Sequence, residues 1–172
     1  MKKIISLLLI SAAFFLGGDR GDAFEKGHAA ETSEEAIKWY QKALSLCRED
    51  EKIPRAWAYN NIGFVLLKDS EWNEALGWFE KAVKEDDSNH VAWNNLGMTY
   101  ENIGFFKKTR PNKRSKTKAA VKEVTGETAG VDPEVEYLNK ALTAYKKSLA
   151  LKPDEDKYKI NKLRVESLLQ VR

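Results

Sequence analysis

The chain has 172 residues, of which 42% are hydrophobic, 10% aromatic and 32% charged. This composition is typical of a globular domain and excludes a disordered chain. The formal net charge is only +3, so bulk charge does not make the protein a polyanion binder. A single cysteine, Cys47, excludes an internal disulfide framework and a cysteine-based metal site.

The first 23 residues have the pattern of a secretory signal peptide. Lys2 and Lys3 precede an apolar run from Ile4 to Leu16, and Gly21 and Ala23 follow at the spacing that signal peptidase favours. The apolar run is shorter than the roughly 20 residues of a membrane-spanning helix, so we favour cleavage over the alternative of an uncleaved anchor. We expect residues 1–23 to be removed and the mature protein to be periplasmic or extracellular.

Two short motifs recur along the rest of the chain. The segment YNNIG at 59–63 returns as WNNLG at 93–97, an offset of 34 residues. A second motif has a small residue, an aromatic residue four positions later and another small residue three positions beyond; it occurs at 35–44, 74–83 and 140–149. Steps of four and three place these positions on one stripe of a helix. The motifs therefore predict helical hairpins in which small residues let two helices approach and aromatic rings fill the space beside them.

The third hairpin is interrupted by an insertion. The small residue expected at position 109 appears only at Ala141, 32 residues late. Asp132 and Pro133 predict the restart of the helix, as its N-cap and its first residue. The intervening residues, about 107–131, contain little apolar sequence, so we expect a loop there.

The last segment, 154–172, predicts one further helix with an apolar stripe that closes the array. The predicted stripe comprises Tyr158 or Ile160, Leu163, Ser167, Leu168 and Val171.

This organisation resembles the tetratricopeptide repeat (TPR) family, whose period is about 34 residues. The first-helix motif of that family is matched by Trp93, Leu96, Gly97, Tyr100 and Gly104, and the second-helix motif by Ala75, Phe79 and Ala82. The resemblance covers roughly residues 34–153, where Pro153 matches the closing proline. It implies an all-α fold, a right-handed helical-hairpin solenoid of about three TPR-like units over residues 24–153. A C-terminal capping helix follows, and a basic loop is inserted in the third unit.

The resemblance also implies a function, the binding of a protein or peptide partner on the concave face formed by the first helices. Residues at the family's binding positions are the candidates here: Trp57, Asn60, Phe64, Lys68, Asn94, Met98 and Glu101. The alternative is that such side chains pack against neighbouring helices. Clamps for chaperone tails, a subtype of the family, need basic residues where this chain has Phe24 and Val91, so we do not expect a clamp.

The insertion begins with a strongly basic run. Between residues 107 and 122 there are eight basic residues and no acidic one, namely Lys107, Lys108, Arg110, Lys113, Arg114, Lys116, Lys118 and Lys122. Such a run favours an anionic membrane or envelope polymer through counterion release and surface attraction. The alternative is a solvated loop without a ligand. The run contains no aromatic residue, which makes nucleic acid an unlikely partner.

Enzyme chemistry finds no support in the sequence. His28 and His90 lie far apart, and no metal-binding spacing, phosphate-binding glycine loop or nucleophile motif occurs. We therefore expect a non-catalytic scaffold or adaptor of the cell envelope, without cofactor or metal. Two alternatives remain open at this point: binding to an anionic surface through the basic loop, and a structural role in an envelope complex.

Overall fold

The computed structural model describes residues 18–109 and 132–171, and every regular element in these ranges is an α-helix. The described helices are α1 (Asp19–Ala29), α2 (Ser33–Ser45), α3 (Lys52–Lys68), α4 (Trp72–Glu85), α5 (His90–Thr109), α6 (Pro133–Leu151) and α7 (Asp156–Gln170). The predicted all-α class is therefore confirmed. The chain forms two compact units, one reaching Ala92 and the other beginning at Trp93.

The first unit consists of two helical hairpins, α1 with α2 and α3 with α4, and α2 packs on α3. Each hairpin closes where a glycine of its first helix meets a ring of its second. A Cβ atom added at Gly27 would lie 2.5 Å from the Tyr40 ring, and one added at Gly63 would lie 2.9 Å from the Phe79 ring. Real Cβ contacts are longer than this, so only glycine permits the observed packing of these rings.

The second unit repeats this contact across the interruption. A Cβ at Gly97 of α5 would lie 2.6 Å from the ring of Tyr145 in α6. In the second hairpin the glycine and the ring are 16 positions apart, and in this one 48, a surplus of 32 residues. These 32 additional positions equal the 32-residue shift of the small residue from position 109 to Ala141. The glycine–ring contact itself is the same in both hairpins.

Side-chain caps fix where several helices begin. The Thr32 hydroxyl accepts a hydrogen bond from the Glu35 backbone N–H at 3.2 Å, and the Asn89 amide oxygen accepts one from Ala92 at 3.0 Å. Asp132 caps α6 by accepting from the Glu134 N–H at 2.9 Å, and Pro133 is the first helical residue. These bonds satisfy backbone donors that a helix start would otherwise leave without partners. The predicted restart at Asp132 and Pro133 is thus confirmed.

The boundary predicted between residues 23 and 24 falls inside α1. Gly21 and Ala23 are buried, and the Arg20 guanidinium lies 2.7 Å from a carboxylate oxygen of Glu51, the residue that precedes α3. The described first hairpin therefore begins at Asp19 and not at Phe24. Cleavage after Ala23 stays a prediction, and residues 1–17 with the apolar run lie outside the described residues.

The predicted stripe on the last helix is wrong in most of its members. The face of α7 that packs on α6 carries Tyr158, Asn161 and Val165. Five of the predicted residues are exposed instead: Ile160, Leu163, Ser167, Leu168 and Val171. Hydropathy alone ranks isoleucine and leucine above asparagine. The surface of α5, however, offers the amide oxygen of Asn94, which accepts a hydrogen bond from the Asn161 amide.

Candidate partner-binding surface

The four candidate residues on α3 differ in exposure. Phe64 is 44% exposed and Lys68 is exposed, whereas Trp57 is half-buried. Asn60 is buried, and its amide nitrogen donates to the Asn61 amide oxygen at 3.4 Å. Within this helix, Phe64 and Lys68 are one turn apart and open to a ligand, while Asn60 belongs to the packed part of the first unit.

On α5, the buried position of Asn94 is explained by the last helix. Asn94 is only 1% exposed, and its amide oxygen accepts a hydrogen bond from the Asn161 amide of α7 at 2.8 Å. Met98, one turn later, packs against the buried cluster that contains Leu138, Tyr145 and Val165. Both candidates therefore contact their own chain.

Glu101 holds the same helix through a bidentate ion pair. Arg164 of α7 donates to both carboxylate oxygens of Glu101, at 2.8 and 2.7 Å. The Tyr145 hydroxyl donates to the second of these oxygens at 2.9 Å. Burial, and next the Glu101 carboxylate, raise the pKa of Tyr145, so its hydroxyl keeps the proton that it donates.

The α5 candidates are thus the places where α7 docks. The sequence signal that could have indicated this is the set Asn161, Arg164 and Val165, which lie on one face of a helix. Asn161 can donate to the amide oxygen of Asn94, and Arg164 can donate to the carboxylate of Glu101. Contact of Asn94, Met98 or Glu101 with another protein stays a prediction, and it would require α7 to leave or to share these positions.

Comparison with known proteins assigns the repeat. A family model described as "Tetratricopeptide repeat" matches residues 28–84. The TPR domain of Arabidopsis OM64 superposes with a TM-score of 0.58 at 17% identity, over 86% of this chain and 94% of that one. The first TPR domain of Spaghetti (RPAP3), solved with the HSP90 peptide SRMEEVD, gives a TM-score of 0.57 at 15% identity, over 92% and 93%.

The family model assigns residues 28–84 to the tetratricopeptide repeat, and the two solved structures share the fold of the described residues. The chain contains tetratricopeptide repeats.

The curated relatives match only part of this chain. The "Uncharacterized protein ycf37" of Guillardia theta is 31% identical over 77 residues, which is 45% of this chain and 43% of that protein. The "Photosystem I assembly protein Ycf3" of Prochlorococcus marinus strain NATL1A is 26% identical over 84 residues, 47% of each chain. The chain spans less than half the length of these relatives.

The basic run of the TPR protein is described only at its start. The Lys107 ammonium donates to the Tyr137 hydroxyl at 3.0 Å and lies 4.4 Å from the centre of that ring. Lys108 is the next residue of α5. The remaining basic residues of the run lie outside the described residues: Arg110, Lys113, Arg114, Lys116, Lys118 and Lys122.

Neither a metal site nor a membrane-spanning helix occurs among the described residues. Across residues 18–109 and 132–171, no three His, Cys, Asp or Glu side chains are grouped so that they could hold a metal ion. None of the described helices combines the length and the apolar character needed to cross a membrane.

Burial raises the pKa of the half-buried Cys47 thiol, which lowers its thiolate fraction and hence its reactivity.

Proposed function

We propose that this TPR protein is a non-catalytic adaptor that holds a segment of a partner protein against α3. TPR domains bind peptide or protein partners, as the RPAP3 domain does with its HSP90 peptide, and TPR proteins are generally scaffolds without catalytic activity. The Prochlorococcus relatives carry the name of an assembly protein, which fits a role in holding other proteins.

The observation that carries this proposal is the exposure of Phe64. A phenyl ring that is 44% exposed at a family binding position is an apolar anchor without a cover from its own unit. Lys68 lies one turn further along α3 and adds a positive charge beside it. This pair suits a segment that presents an apolar side chain next to a carboxylate.

Export to the cell envelope belongs to the same proposal. It is supported by Lys2, Lys3 and the apolar run from Ile4 to Leu16. Cell fractionation, followed by sequencing of the N-terminus of the purified protein, tests it. Recovery in the cytoplasmic fraction with residues 1–23 intact would contradict export.

A capture experiment tests the adaptor role. The full chain is immobilised through its C-terminus and exposed to native envelope extract at moderate salt, and retained proteins are identified by mass spectrometry. We expect one or two proteins to be retained by the wild type and lost with Phe64→Asp, because a charge at the anchor must be desolvated when the partner binds.

The matched control is Ile160→Asp, a similarly exposed apolar residue on α7 in the other unit. It should retain the same proteins as the wild type, and circular dichroism should show equal helicity in all three forms. If Phe64→Asp retains the partner undiminished, α3 is not the binding surface. Stoichiometric co-purification that survives Phe64→Asp would instead indicate a structural subunit of a complex.

A further inference from the structure

Matching positions of the second and third hairpins carry different side chains. The residue four positions before the close-contact glycine is Tyr59 in α3 and Trp93 in α5. The residue directly before the contacting ring is Trp78 in α4 and Ala144 in α6. In the second hairpin these two positions bring rings together, with the centres of Tyr59 and Trp78 5.9 Å apart. In the third hairpin the second of them holds an alanine, which has no ring.

Tryptophan at this position of the second helix is otherwise a repeated feature of the chain. In the first hairpin Trp39 directly precedes the contacting ring of Tyr40, and the Lys26 ammonium lies 4.6 Å from the centre of the Trp39 ring. In the second hairpin the Lys81 ammonium lies 4.2 Å from the centre of the Trp78 ring. Both hairpins therefore place an indole beside a lysine here.

The third hairpin keeps the lysine but not this indole. Lys147 follows the contacting ring by two positions, as Lys81 does in the second hairpin. Its ammonium lies 5.9 Å from the centre of the Trp93 ring, on the first helix. The cation and the ring of the first helix are thus present, and the ring that the second helix contributes elsewhere is replaced by the methyl group of Ala144.

A pocket of about 460 Å³ lies at this place, between α5 and α6 of the second unit. This volume is within the range of about 300–1,000 Å³ that is usual for ligand pockets. Trp93 and Tyr100 line it from one face of α5, and Ala144 and Asn139 line it from α6. The pocket therefore offers aromatic walls, which favour a further ring through edge and offset contacts.

The pocket wall also carries an acceptor for an indole N–H. Asn139 is exposed, and its amide nitrogen donates to the Val135 carbonyl oxygen at 2.9 Å. Its amide oxygen is the group that can accept a hydrogen bond from a ligand.

We infer that this pocket binds a tryptophan side chain of a partner protein, whose indole takes the place that Trp78 has in the second hairpin. A residue within a chain has neutral peptide groups beside its ring, whereas free tryptophan carries two charges that the mostly apolar lining does not match. The pocket lies in the second unit and Phe64 in the first. The proposed site is therefore additional to the adaptor surface on α3 and does not depend on it.

The test is a titration of the isotope-labelled full chain with N-acetyltryptophanamide, followed through its backbone amide chemical shifts. We expect saturable shifts centred on residues 93–100 and 136–144. Binding of N-acetylleucinamide and of free tryptophan should be weaker by at least about fivefold, because the first lacks the ring and the second brings charges.

Variants of the pocket itself make the test specific. Ala144→Trp supplies the ring from the chain and should weaken binding of N-acetyltryptophanamide at least about tenfold. The matched control, Lys146→Trp, adds the same side chain at an exposed position of α6 outside the pocket and should bind like the wild type. Trp93→Leu introduces no larger side chain, so it decides the matter if Ala144→Trp does not fold. It should weaken binding about fivefold, since an aromatic wall is lost.

Four results would overturn the inference. The first is the absence of saturable shifts in these two segments. The second is equal affinity for the tryptophan and leucine amides, which would show that the pocket does not select a ring. The third is wild-type affinity in folded Ala144→Trp or in Trp93→Leu, which would place the ligand elsewhere. Tighter binding of free tryptophan than of its amide would instead make this a site for a small molecule.

Discussion

At Gly63 the backbone of α3 lies so close to the Phe79 ring that no residue with a Cβ atom would fit there. Phe79 is fully buried, so the ring cannot turn aside when a neighbour grows. The same residue pairing recurs at Gly27 and Gly97. A single hydrogen atom at each of these sites is therefore what permits two helices to pack at this distance.

Replacing this glycine gives a direct stability test. We expect Gly63→Ala to lower the free energy of unfolding by about 1–3 kcal/mol, because the added methyl overpacks the hairpin. Gly77→Ala is the matched control in the same unit, since nothing lies within 4 Å of an added Cβ there. It should raise stability by up to about 1 kcal/mol through helix propensity. Urea denaturation measures both, and a Gly63→Ala protein as stable as the wild type would contradict the tight contact.

The Glu51 carboxylate makes the stability of the fold depend on pH. The backbone N–H of Arg48 and the guanidinium of Arg20 hold the pKa of Glu51 below its ordinary value of 4.5. A lowered folded-state pKa means that Glu51 stabilises the fold above about pH 4.5 and ceases to do so as the pH falls through the lower value.

We therefore expect Glu51→Gln to melt below the wild type near neutral pH and to converge with it well below pH 4.5. Melting temperatures measured from about pH 7 to about pH 3 test this. Glu49→Gln, an exposed change in the same link, should follow the wild-type curve throughout. A constant difference between Glu51→Gln and the wild type at every pH would rule out the linkage.

Among the elements, α7 shows how a helix is placed by polar contacts. Its Asn161 and Arg164 meet Asn94 and Glu101 of α5, while Val165 enters the apolar cluster. Polar pairs of this kind are costly when broken and specific when made. They select which face of α7 docks, and four large apolar residues remain on the outside.

Loss of the ion pair should loosen this one element. With Arg164→Gln we expect faster amide hydrogen exchange across residues 156–170 and a loss of about 1 kcal/mol of stability, since the pair is partly exposed. Lys159→Gln removes a pair confined to α7, with Asp156, and should not change exchange in α5. Unchanged exchange in α7 of Arg164→Gln would show that the apolar contacts alone hold the helix.

For the whole molecule, the proposed cleavage after Ala23 conflicts with the packing of residues 19–23 in α1. A mature chain beginning at Phe24 would lose Arg20, with its ion pair to Glu51, and the first five residues of α1. It would carry 26 basic and 24 acidic side chains, a net charge of +2. Because residues 107–122 contribute +8, the other residues would have a net charge of −6. This separation of charge persists whether or not residues 1–23 are removed.

This gives a prediction for the mature terminus. A chain of residues 24–172 should be less stable than one of residues 18–172, by about 1–3 kcal/mol, because the buried residues Gly21 and Ala23 are missing. The partly exposed Arg20–Glu51 ion pair is lost as well. Thermal denaturation of the two forms decides it. Equal stability would mean that α1 needs only its second half, and that cleavage after Ala23 leaves the fold intact.

The sequence by itself determined the helical class, the period and the position of the interruption. It did so because these depend on local rules, such as the stripe formed by Ala75, Phe79 and Ala82 and the cap at Asp132. It also named Phe64 as a partner-binding candidate; the side chain is exposed in the structure, and its contact with a partner stays a prediction.

Only the tertiary structure decided which side chains remain available. Asn94, Met98 and Glu101 lie at family binding positions, yet α7 contacts the first and third and the second packs into the core. The pairs Asn94–Asn161 and Glu101–Arg164 join residues 67 and 63 positions apart. A periodicity extends over one helix and cannot indicate a partner at such a distance, because that contact depends on how the helices pack.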